Sequence, residues 1–418
     1  MHVCVLGAGV IGVTTAWMLA RRGWQVTLVD AEPAAARGAS HANGGQLSYS
    51  YVAPLAAPDV FCNLPGWLLR GDSPLRLRPR LDPDQWRWSL QFALACTRNQ
   101  ARDTTTALSA LAELSRQSLD ALLADTPIDF SHRRNGKLIV YRSHDLLEKA
   151  RAQVDYQATL GARQQILGAE DCIALEPALA PLRGRFAGAV YTPTEEAGDC
   201  RLFTENLCAQ LAELPNVTLR LASRIERLAR RSDGSTYLVL ANGDDLTADA
   251  YVLAAGMGSK PLYTSLGGTL PLYPLKGYSL TVPLEGDLSL APDISVTDYE
   301  RRIVYARLDT TLRIAAMVDI GDTHPGVSTG RLVQLKRQVH ELLPSLPLDQ
   351  ATAWAGQRPA TPHGRPLIGR SRRATDVWLN LGHGALGFTL ACGSAALLGQ
   401  LLAGETPSID TRPFIPTV

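Results

Sequence analysis

The feature that most constrains the fold is a Gly-x-Gly-x-x-Gly run close to the start of the chain, formed by Gly7, Gly9 and Gly12. Residues 3–6 before it are predicted to form a buried strand, and residues 10–22 after it a helix. Such a turn places a pyrophosphate at the helix N-terminus, where unpaired N–H groups and the helix dipole favour negative charge. A second strand, 25–29, ends in Asp30, which can accept hydrogen bonds from a ribose. The unit predicts a dinucleotide-binding Rossmann-like domain.

The composition indicates a globular protein with more than one domain. At 418 residues two or three domains are expected, and a formal net charge of +1 argues against a nucleic-acid partner. No apolar run approaches the ~18 residues that span a bilayer. The first strand begins at once, which leaves no room for a signal peptide. Seven cysteines without a Cys-x-x-Cys pair indicate core thiols rather than disulfides or a zinc site, so we expect a cytoplasmic protein without a metal.

Two glycine-rich segments far apart in the chain decide which dinucleotide is expected. Residues 38–46 form a small-residue loop directly after the second strand, and residues 380–389 form a similar segment that opens onto a last helix, 389–402. Glycine-rich junctions at both chain ends suggest one long ligand held from two sides, which suits extended FAD better than NAD. The predicted FAD contacts from these segments and from the first turn are Val10, Ile11, Ser40, His41, Asn43, Gly44, Gly45, Gln46, Gly384, Gly387 and Thr389.

Six blocks taken together resemble the D-amino acid oxidase superfamily of FAD enzymes, and within it the bacterial dehydrogenases. They are the glycine fingerprint and the segments SHANGGQLS, YVLAAG, YPLKGYSLT, GQRPATPHGRPLIG and LNLGHGALGFTLACGS. The resemblance runs from Met1 to about Pro407. It implies that Ile225 contacts the adenine through its backbone and that Gly256 lies near the pyrophosphate. His41 stands where relatives often have a small residue, so a covalent and a non-covalent flavin both remain open.

The fold class predicted is α/β, with a Rossmann-like FAD-binding domain assembled from discontinuous segments. An inserted α+β substrate domain is built on an antiparallel sheet, with strands expected at 278–282, 302–307 and 312–318. The predicted FAD-binding domain comprises 1–80, 165–265 and 350–418, and the substrate domain 81–164 and 266–349. Residues 54–88 are expected to be irregular.

Three residues are the candidates for catalysis. Arg358 lies in a Gly-x-Arg-Pro block, where related oxidases use an arginine to hold the substrate carboxylate by a bidentate fork. Tyr278 is expected on a strand that in relatives borders the substrate, although core packing explains it almost as well. His383 precedes the last helix and is either a flavin neighbour or a satisfied core histidine. Weaker candidates for the substrate wall are Tyr49, Tyr51 and Tyr305.

The resemblance implies FAD-dependent oxidative deamination of small D-amino acids to 2-oxo acids and ammonia, by hydride transfer from Cα to flavin N5. Because the substrate amine need only be neutral, no general base is required. The alternatives are oxidation of a secondary amino acid of the sarcosine or D-hydroxyproline type, a flavin-bearing subunit that needs a partner chain, and a nicotinamide dehydrogenase.

A dehydrogenase of this kind passes electrons to a respiratory-chain or quinone acceptor, which implies peripheral contact with the inner face of the membrane. The stretch between Trp67 and Trp88 alternates arginines with leucines and tryptophans, a composition suited to an anionic bilayer surface. An ordinary solvated arginine-rich loop explains the composition equally well. The residues concerned are Arg70, Arg76, Arg78, Arg80, Arg87, Leu68, Leu69, Leu75, Leu77 and Trp86.

Overall fold

The structure of the protein, a computed structural model, describes residues 1–52, 54–58 and 73–417. Its helices are α1 Val10–Ala20, α2 Pro83–Ala95, α3 Arg98–Asp125, α4 His144–Thr159, α5 Ala169–Leu175, α6 Cys200–Ala212, α7 Ser259–Thr264, α8 Thr329–His340 and α9 Gly387–Ala403. Its strands are β1 His2–Leu6, β2 Gln25–Val29, β3 Gln46–Leu47, β4 Leu75–Leu77, β5 Lys137–Tyr141, β6 Gln165–Gly168, β7 Gly188–Thr192, β8 Glu196–Ala197, β9 Val217–Arg220, β10 Ile225–Arg230, β11 Thr236–Leu240, β12 Asp245–Leu246, β13 Ala250–Leu253, β14 Tyr273–Pro283, β15 Ser295–Asp298, β16 Ile303–Leu308, β17 Thr311–Ile320, β18 Thr352–Ala360, β19 Leu367–Arg370 and β20 Val377–Leu381.

The N-terminal fingerprint lies in a sheet of strand order β19-β20-β13-β1-β2-β9, parallel except for β19. The alternation along β1 sends Val3 and Val5 to a core shared with α1, α3, α6 and α9. Cys4 and Leu6 lie in the opposite core, against α7 and the small sheet β10-β11-β12. Because both faces are covered, the central strands β1 and β13 are almost entirely apolar and buried. The α/β fold class with a Rossmann-like domain is thus confirmed.

A second sheet has the order β18-β14-β17-β16-β15-β5-β7-β6, with β4 paired to β17, and most of its pairings are antiparallel. One face packs against α5 and α8, where Leu335 and Val339 are fully buried. The opposite face lies against the loop that follows β2, through the contacts described below. This arrangement brings one face of the second sheet to the dinucleotide unit.

Some local expectations are wrong. Residues 54–88 are not irregular throughout, because β4 and the first half of α2 lie among them; Asp82 caps α2 by accepting from the Asp84 N–H. Strand β14 begins at Tyr273, five residues before the expected start, and places Tyr278 in its middle. Strands β6, β7 and β18 pair within the second sheet although their segments were assigned to the FAD-binding domain. The domain boundaries themselves stay a prediction.

The expectation that no apolar run approaches membrane-spanning length is wrong for Gly384–Ala403. This helical segment of 20 residues has a mean hydropathy of 1.6, and the search that found it covered the described residues. Yet 61% of its most apolar 18-residue window is buried inside the protein, where α9 packs on α1 and α3. By length and composition alone the segment resembles a membrane span, and by packing it is a core helix.

Candidate cofactor and active site

The three fingerprint glycines have different surroundings. A Cβ at Gly7, whose φ is +110°, would lie 2.6 Å from Cα of Ala255, and one at Gly12 would lie 1.7 Å from the Gly7 carbonyl oxygen. A Cβ at Gly9 would meet only the Ser40 hydroxyl, at 3.5 Å. Packing therefore requires Gly7 and Gly12, whereas Gly9 leaves open space beside the start of α1.

Polar groups around this turn organise it for an anion. The N-cap residue of helix α1 is Gly9, which has no side chain, and the Val10 N–H donates to Ser40 Oγ at 3.0 Å. Asp30 accepts from the Ala8 N–H at 2.6 Å and from the Glu32 N–H at 2.8 Å. Asp30 thus ties the glycine turn to the end of β2, and its carboxylate keeps lone pairs that can accept from a ribose.

The segment predicted to contact adenine lies beside Asp30. The Ser223 N–H donates to the Asp30 carbonyl oxygen at 2.8 Å, and Ile225 begins β10 two residues later. Strand β10 is irregular at this point, since its pairing with β11 shifts between Ile225 and Arg227. The chain therefore brings Ile225 to the same end of the parallel sheet as the glycine turn.

The loop 38–46 lies between α9 and the second sheet. Thr389, in the first turn of α9, accepts from the Ser48 N–H at 3.2 Å and donates to the Gln46 carbonyl oxygen at 3.4 Å. On the other side Arg313 of β17 donates to the Asn43 carbonyl oxygen at 2.7 Å. A Cβ at Gly44 would lie 3.3 Å from Cβ of Ala315, so the loop and the sheet are in close contact.

The end of β18 meets two glycine turns. Ala360 forms an antiparallel bridge with His383, and a Cβ at Gly384, whose φ is +57°, would lie 3.9 Å from Cβ of Ala360. A Cβ at Gly256, whose φ is +56°, would lie 3.9 Å from Cγ of Pro359. Gly256 and Gly384, both predicted to contact the cofactor, therefore lie close to Pro359 and Ala360, the two residues that follow Arg358. Gly387 begins α9 three residues further on.

His383 is a satisfied buried histidine. Its side chain is 4% exposed, and Nε2 lies 2.8 Å from Ser394 Oγ. Because the Ser394 hydroxyl donates to the Leu390 carbonyl oxygen, Nε2 of His383 must carry the proton that joins them. Burial lowers the pKa of His383 to about 3, so the ring is neutral at physiological pH. The hydrogen bond from His383 to Ser394 of α9 holds the adjacent Gly384 turn against that helix.

Arg358 is the cation of the site. One guanidinium N–H donates to the Met317 carbonyl oxygen at 3.2 Å. Within the part of the chain that the structure describes, no carboxylate forms an ion pair with Arg358, and burial lowers its pKa to about 10. A guanidinium carries five N–H donors, so most of them remain for a ligand. A guanidinium with free donors and no carboxylate partner among the described residues has the chemistry to bind an anion.

The register of β14 with β18 decides which residues share a face with Arg358. The pairs are Leu275 with Arg358, Gly277 with Gly356, and Ser279 with Trp354. Residues directly opposite on paired strands lie on one face. Ser279 is 3% exposed and its hydroxyl has no partner within the described residues. This face therefore combines Arg358 with small residues, an aromatic ring and an unpartnered hydroxyl.

Tyr278 lies on the other face, so the structure does not bring it to Arg358. Its hydroxyl donates to Asp319 at 2.9 Å, and Asp319 pairs with the fully buried Arg331 of α8. Tyr305 lies in the same core as Tyr278 and is 1% exposed. Neighbouring residues in a strand point to opposite faces. Because Gly277 shares a face with Arg358, the next residue of β14, Tyr278, points to the other face.

Tyr49 and Tyr51 lie near a buried charged cluster that sequence reasoning missed. Lys137 is 4% exposed and donates to Ser48 Oγ at 2.7 Å, and its ammonium lies 4.8 Å from the centre of the Tyr51 ring. Burial lowers the pKa of Lys137 to about 8, and burial raises the pKa of Glu195, which accepts from the Ser50 N–H. The sequence of β5, KLIVY, is that of an ordinary core strand, and no local pattern indicates that Lys137 is buried.

His41 is half-buried, 6.2 Å from Trp354 between ring centres. Burial lowers its pKa, and the nearby cations Arg201, Arg37 and Arg313 lower it further. His41 thus brings the 38–46 loop next to Trp354, on the face that carries Arg358.

The residues present fit FAD. The open space at Gly9 beside the N-terminus of α1 suits a pyrophosphate, and Asp30 with the β10 segment suits the adenosine half. The small-residue loop, the Gly384 turn and the unpartnered Ser279 hydroxyl enclose the other end, next to Arg358. Fold and site together define an FAD-dependent oxidoreductase.

Comparison with known proteins places the chain in a particular family. Residues 2–401 match the DAO family of FAD-dependent oxidoreductases, and the chain belongs to it. It is 49% identical to D-amino acid dehydrogenase 2 of Ralstonia nicotianae, over 99% of each chain. It is 47% identical to D-amino acid dehydrogenase 2 of Pseudomonas aeruginosa, over 99% of this chain and 98% of the relative.

Solved structures share the fold at lower identity. Glycine oxidase of Geobacillus kaustophilus has a TM-score of 0.76 at 22% identity, over 99% of this chain and 98% of that one. Iminodiacetate oxidase of Chelativorans sp. BNC1 has a TM-score of 0.74 at 21% identity, over the same shares. These likenesses establish the fold of the whole chain.

Proposed function

We propose that this protein is an FAD-dependent D-amino acid dehydrogenase that converts D-amino acids to 2-oxo acids and ammonia. The observation that carries the proposal is Arg358: an enclosed guanidinium without a carboxylate partner in the described structure, beside the turns assigned to the flavin. Two relatives with almost half of their residues in common bear the name D-amino acid dehydrogenase.

The chain's own residues bind and orient the substrate. Arg358 holds the α-carboxylate by two parallel charge-assisted bonds, which fixes the Cα–H bond in one direction. Trp354 and the small residues on the same face bound the space for the side chain, and the substrate amine reacts in its neutral form. When bound, FAD supplies the acceptor for the hydride that leaves Cα. The imino acid product then hydrolyses in water.

Replacement of Arg358 tests this assignment. Arg358→Lys keeps the charge but loses the planar fork, so at least one charge-assisted bond worth about 1.5–3 kcal/mol is lost and kcat/KM for D-alanine falls roughly 10- to 100-fold. The flavin absorption spectrum stays unchanged, because FAD contacts are intact. The measurement is steady-state kinetics with a dye acceptor. Wild-type kinetics in Arg358→Lys would contradict the proposal.

A substrate panel separates the proposal from its alternatives. D-alanine, sarcosine and D-hydroxyproline, each assayed with the purified chain alone and a dye acceptor, distinguish primary from secondary amino acids. Activity only after addition of a second polypeptide would indicate a flavin-bearing subunit instead. Membership of the DAO family of FAD-dependent oxidoreductases argues against a nicotinamide dehydrogenase.

We also propose that the protein donates electrons at an anionic membrane surface, to a respiratory-chain or quinone acceptor. Helix α2 supports this part: Trp86, Leu90 and Leu94, spaced by four residues on one helix face, are 50%, 62% and 71% exposed. Leu81, just before the helix, is fully exposed. Arg76, Arg78, Arg80 and Arg87 are close to this helix in the sequence, with Arg78 paired to Asp322 and Arg87 to Asp84. Trp67, Leu68, Leu69 and Arg70 lie outside the described residues. An apolar face with neighbouring cations suits the bilayer interface.

Co-sedimentation with vesicles tests the membrane contact. Wild-type protein should sediment with anionic vesicles and less so at high salt. The variant Leu90→Glu/Leu94→Glu should remain in the supernatant, whereas the control Val333→Glu, at a 63% exposed position on α8, should behave as wild type. Equal sedimentation of all three proteins would refute the role of α2, and rapid peroxide formation in air would indicate an oxidase.

A further inference from the structure

The position of the Arg358 guanidinium depends on the absence of a side chain at Gly277. A Cβ built at Gly277 would lie 2.2 Å from Nη2 and 2.5 Å from Cζ of Arg358. Gly277 is not among the glycines with positive φ, so its backbone conformation is open to any residue. Glycine is therefore needed here for the neighbouring guanidinium and not for the chain path.

The second contact of the guanidinium comes from an irregularity in β17. Pairing with β14 shifts from Lys276–Asp319 to Tyr278–Ala316, so that Met317 and Val318 together oppose Gly277. This is a β-bulge, and Met317 has a φ of +65°, rare for a residue with a side chain. The Met317 carbonyl oxygen is the acceptor for the Arg358 N–H.

We propose that Gly277 and the Met317 bulge position the Arg358 guanidinium for the substrate carboxylate. The glycine provides the space in which the guanidinium lies over β14, and the bulge turns a carbonyl oxygen toward one of its nitrogens. In a regular ladder that carbonyl would pair across the sheet, and a side chain at 277 would displace the fork. Both are positioning residues, and the inference rests on the proposed carboxylate-binding role of Arg358.

The test is Gly277→Ala in the FAD-loaded enzyme, with Gly330→Ala as matched control. A Cβ at Gly330, on α8, would have no atom within 4 Å. Gly277→Ala should lower kcat/KM for D-alanine about 10- to 100-fold, since a 1 Å misplacement costs on that order. Its activity on ethylamine, which lacks the carboxylate, should equal that of wild type measured alongside. Gly330→Ala should match wild type on both.

A double-mutant cycle ties the effect to Arg358. In an Arg358→Ala background, Gly277→Ala should change kcat/KM less than twofold, because the displaced group is gone. If Gly277→Ala alone fails to fold or to retain flavin, Gly277→Ala/Arg358→Ala should recover both. Independent effects of the two substitutions, no recovery, or wild-type kinetics in Gly277→Ala would overturn the positioning role. Wild-type kinetics in Arg358→Ala would instead refute the proposed function.

Discussion

Gly9 offers a substitution whose effects on the apoprotein and on FAD binding should have opposite signs. Its φ of −76° and ψ of 177° suit alanine, and a Cβ there would meet only Ser40 Oγ at 3.5 Å. Gly9→Ala should therefore stabilise the apoprotein by roughly 0.4–1 kcal/mol, because the unfolded chain loses conformational freedom. The same methyl group occupies the space where the pyrophosphate approaches the backbone.

The loss of FAD affinity can be converted to a free energy. FAD at 100 times its Kd stabilises wild type by about 2.7 kcal/mol, and a hundredfold weaker Kd reduces that contribution to ~0.4 kcal/mol. Denaturant unfolding with and without FAD measures both quantities. Gly9→Val should yield colourless protein, since its side chain is larger.

Two further substitutions serve as controls for Gly9→Ala. Gly12→Ala should destabilise the apoprotein, because its Cβ would lie 1.7 Å from the Gly7 carbonyl oxygen, and Gly330→Ala should leave FAD binding unchanged. Two results would refute this reasoning: a Gly9→Ala protein that FAD stabilises as much as wild type, or a Gly9→Ala apoprotein that is destabilised as much as Gly12→Ala.

The remaining predictions concern two histidines. Burial holds the pKa of His383 at about 3 against an ordinary 6.5, so the unfolded chain binds the extra proton and stability falls as pH drops from 6.5 toward 3. Between pH 6.5 and 4.5, wild type should lose ~2–3 kcal/mol more unfolding free energy than His383→Asn, and parallel curves would contradict this. We expect a non-covalent flavin, so acid precipitation should leave the yellow colour in the supernatant; colour in the pellet that His41→Ala abolishes would indicate a covalent link.

Local sequence patterns were sufficient for much of the fold. Strand 25–29 lies where the apolar run predicts it, and the described cysteines are buried, as expected of core thiols. Asp199 caps α6 by accepting from the Arg201 and Leu202 N–H groups. These features depend on neighbours in the chain, so their signals are local. The prediction failed at Leu75–Leu77, where a short edge strand depends on pairing with β17.

The sequence by itself determined the dinucleotide unit, because strand, turn, helix and Asp30 lie within thirty residues, so that their signals are local. Only the tertiary structure decided the substrate side. Whether Arg358 lies with Gly277 or with Tyr278 depends on the register between β14 and β18, strands separated by most of the inserted segment. A shift of one residue exchanges the two faces, and no local signal encodes that register. The structure placed Tyr278 with Asp319 and left Arg358 without a carboxylate partner in the described chain.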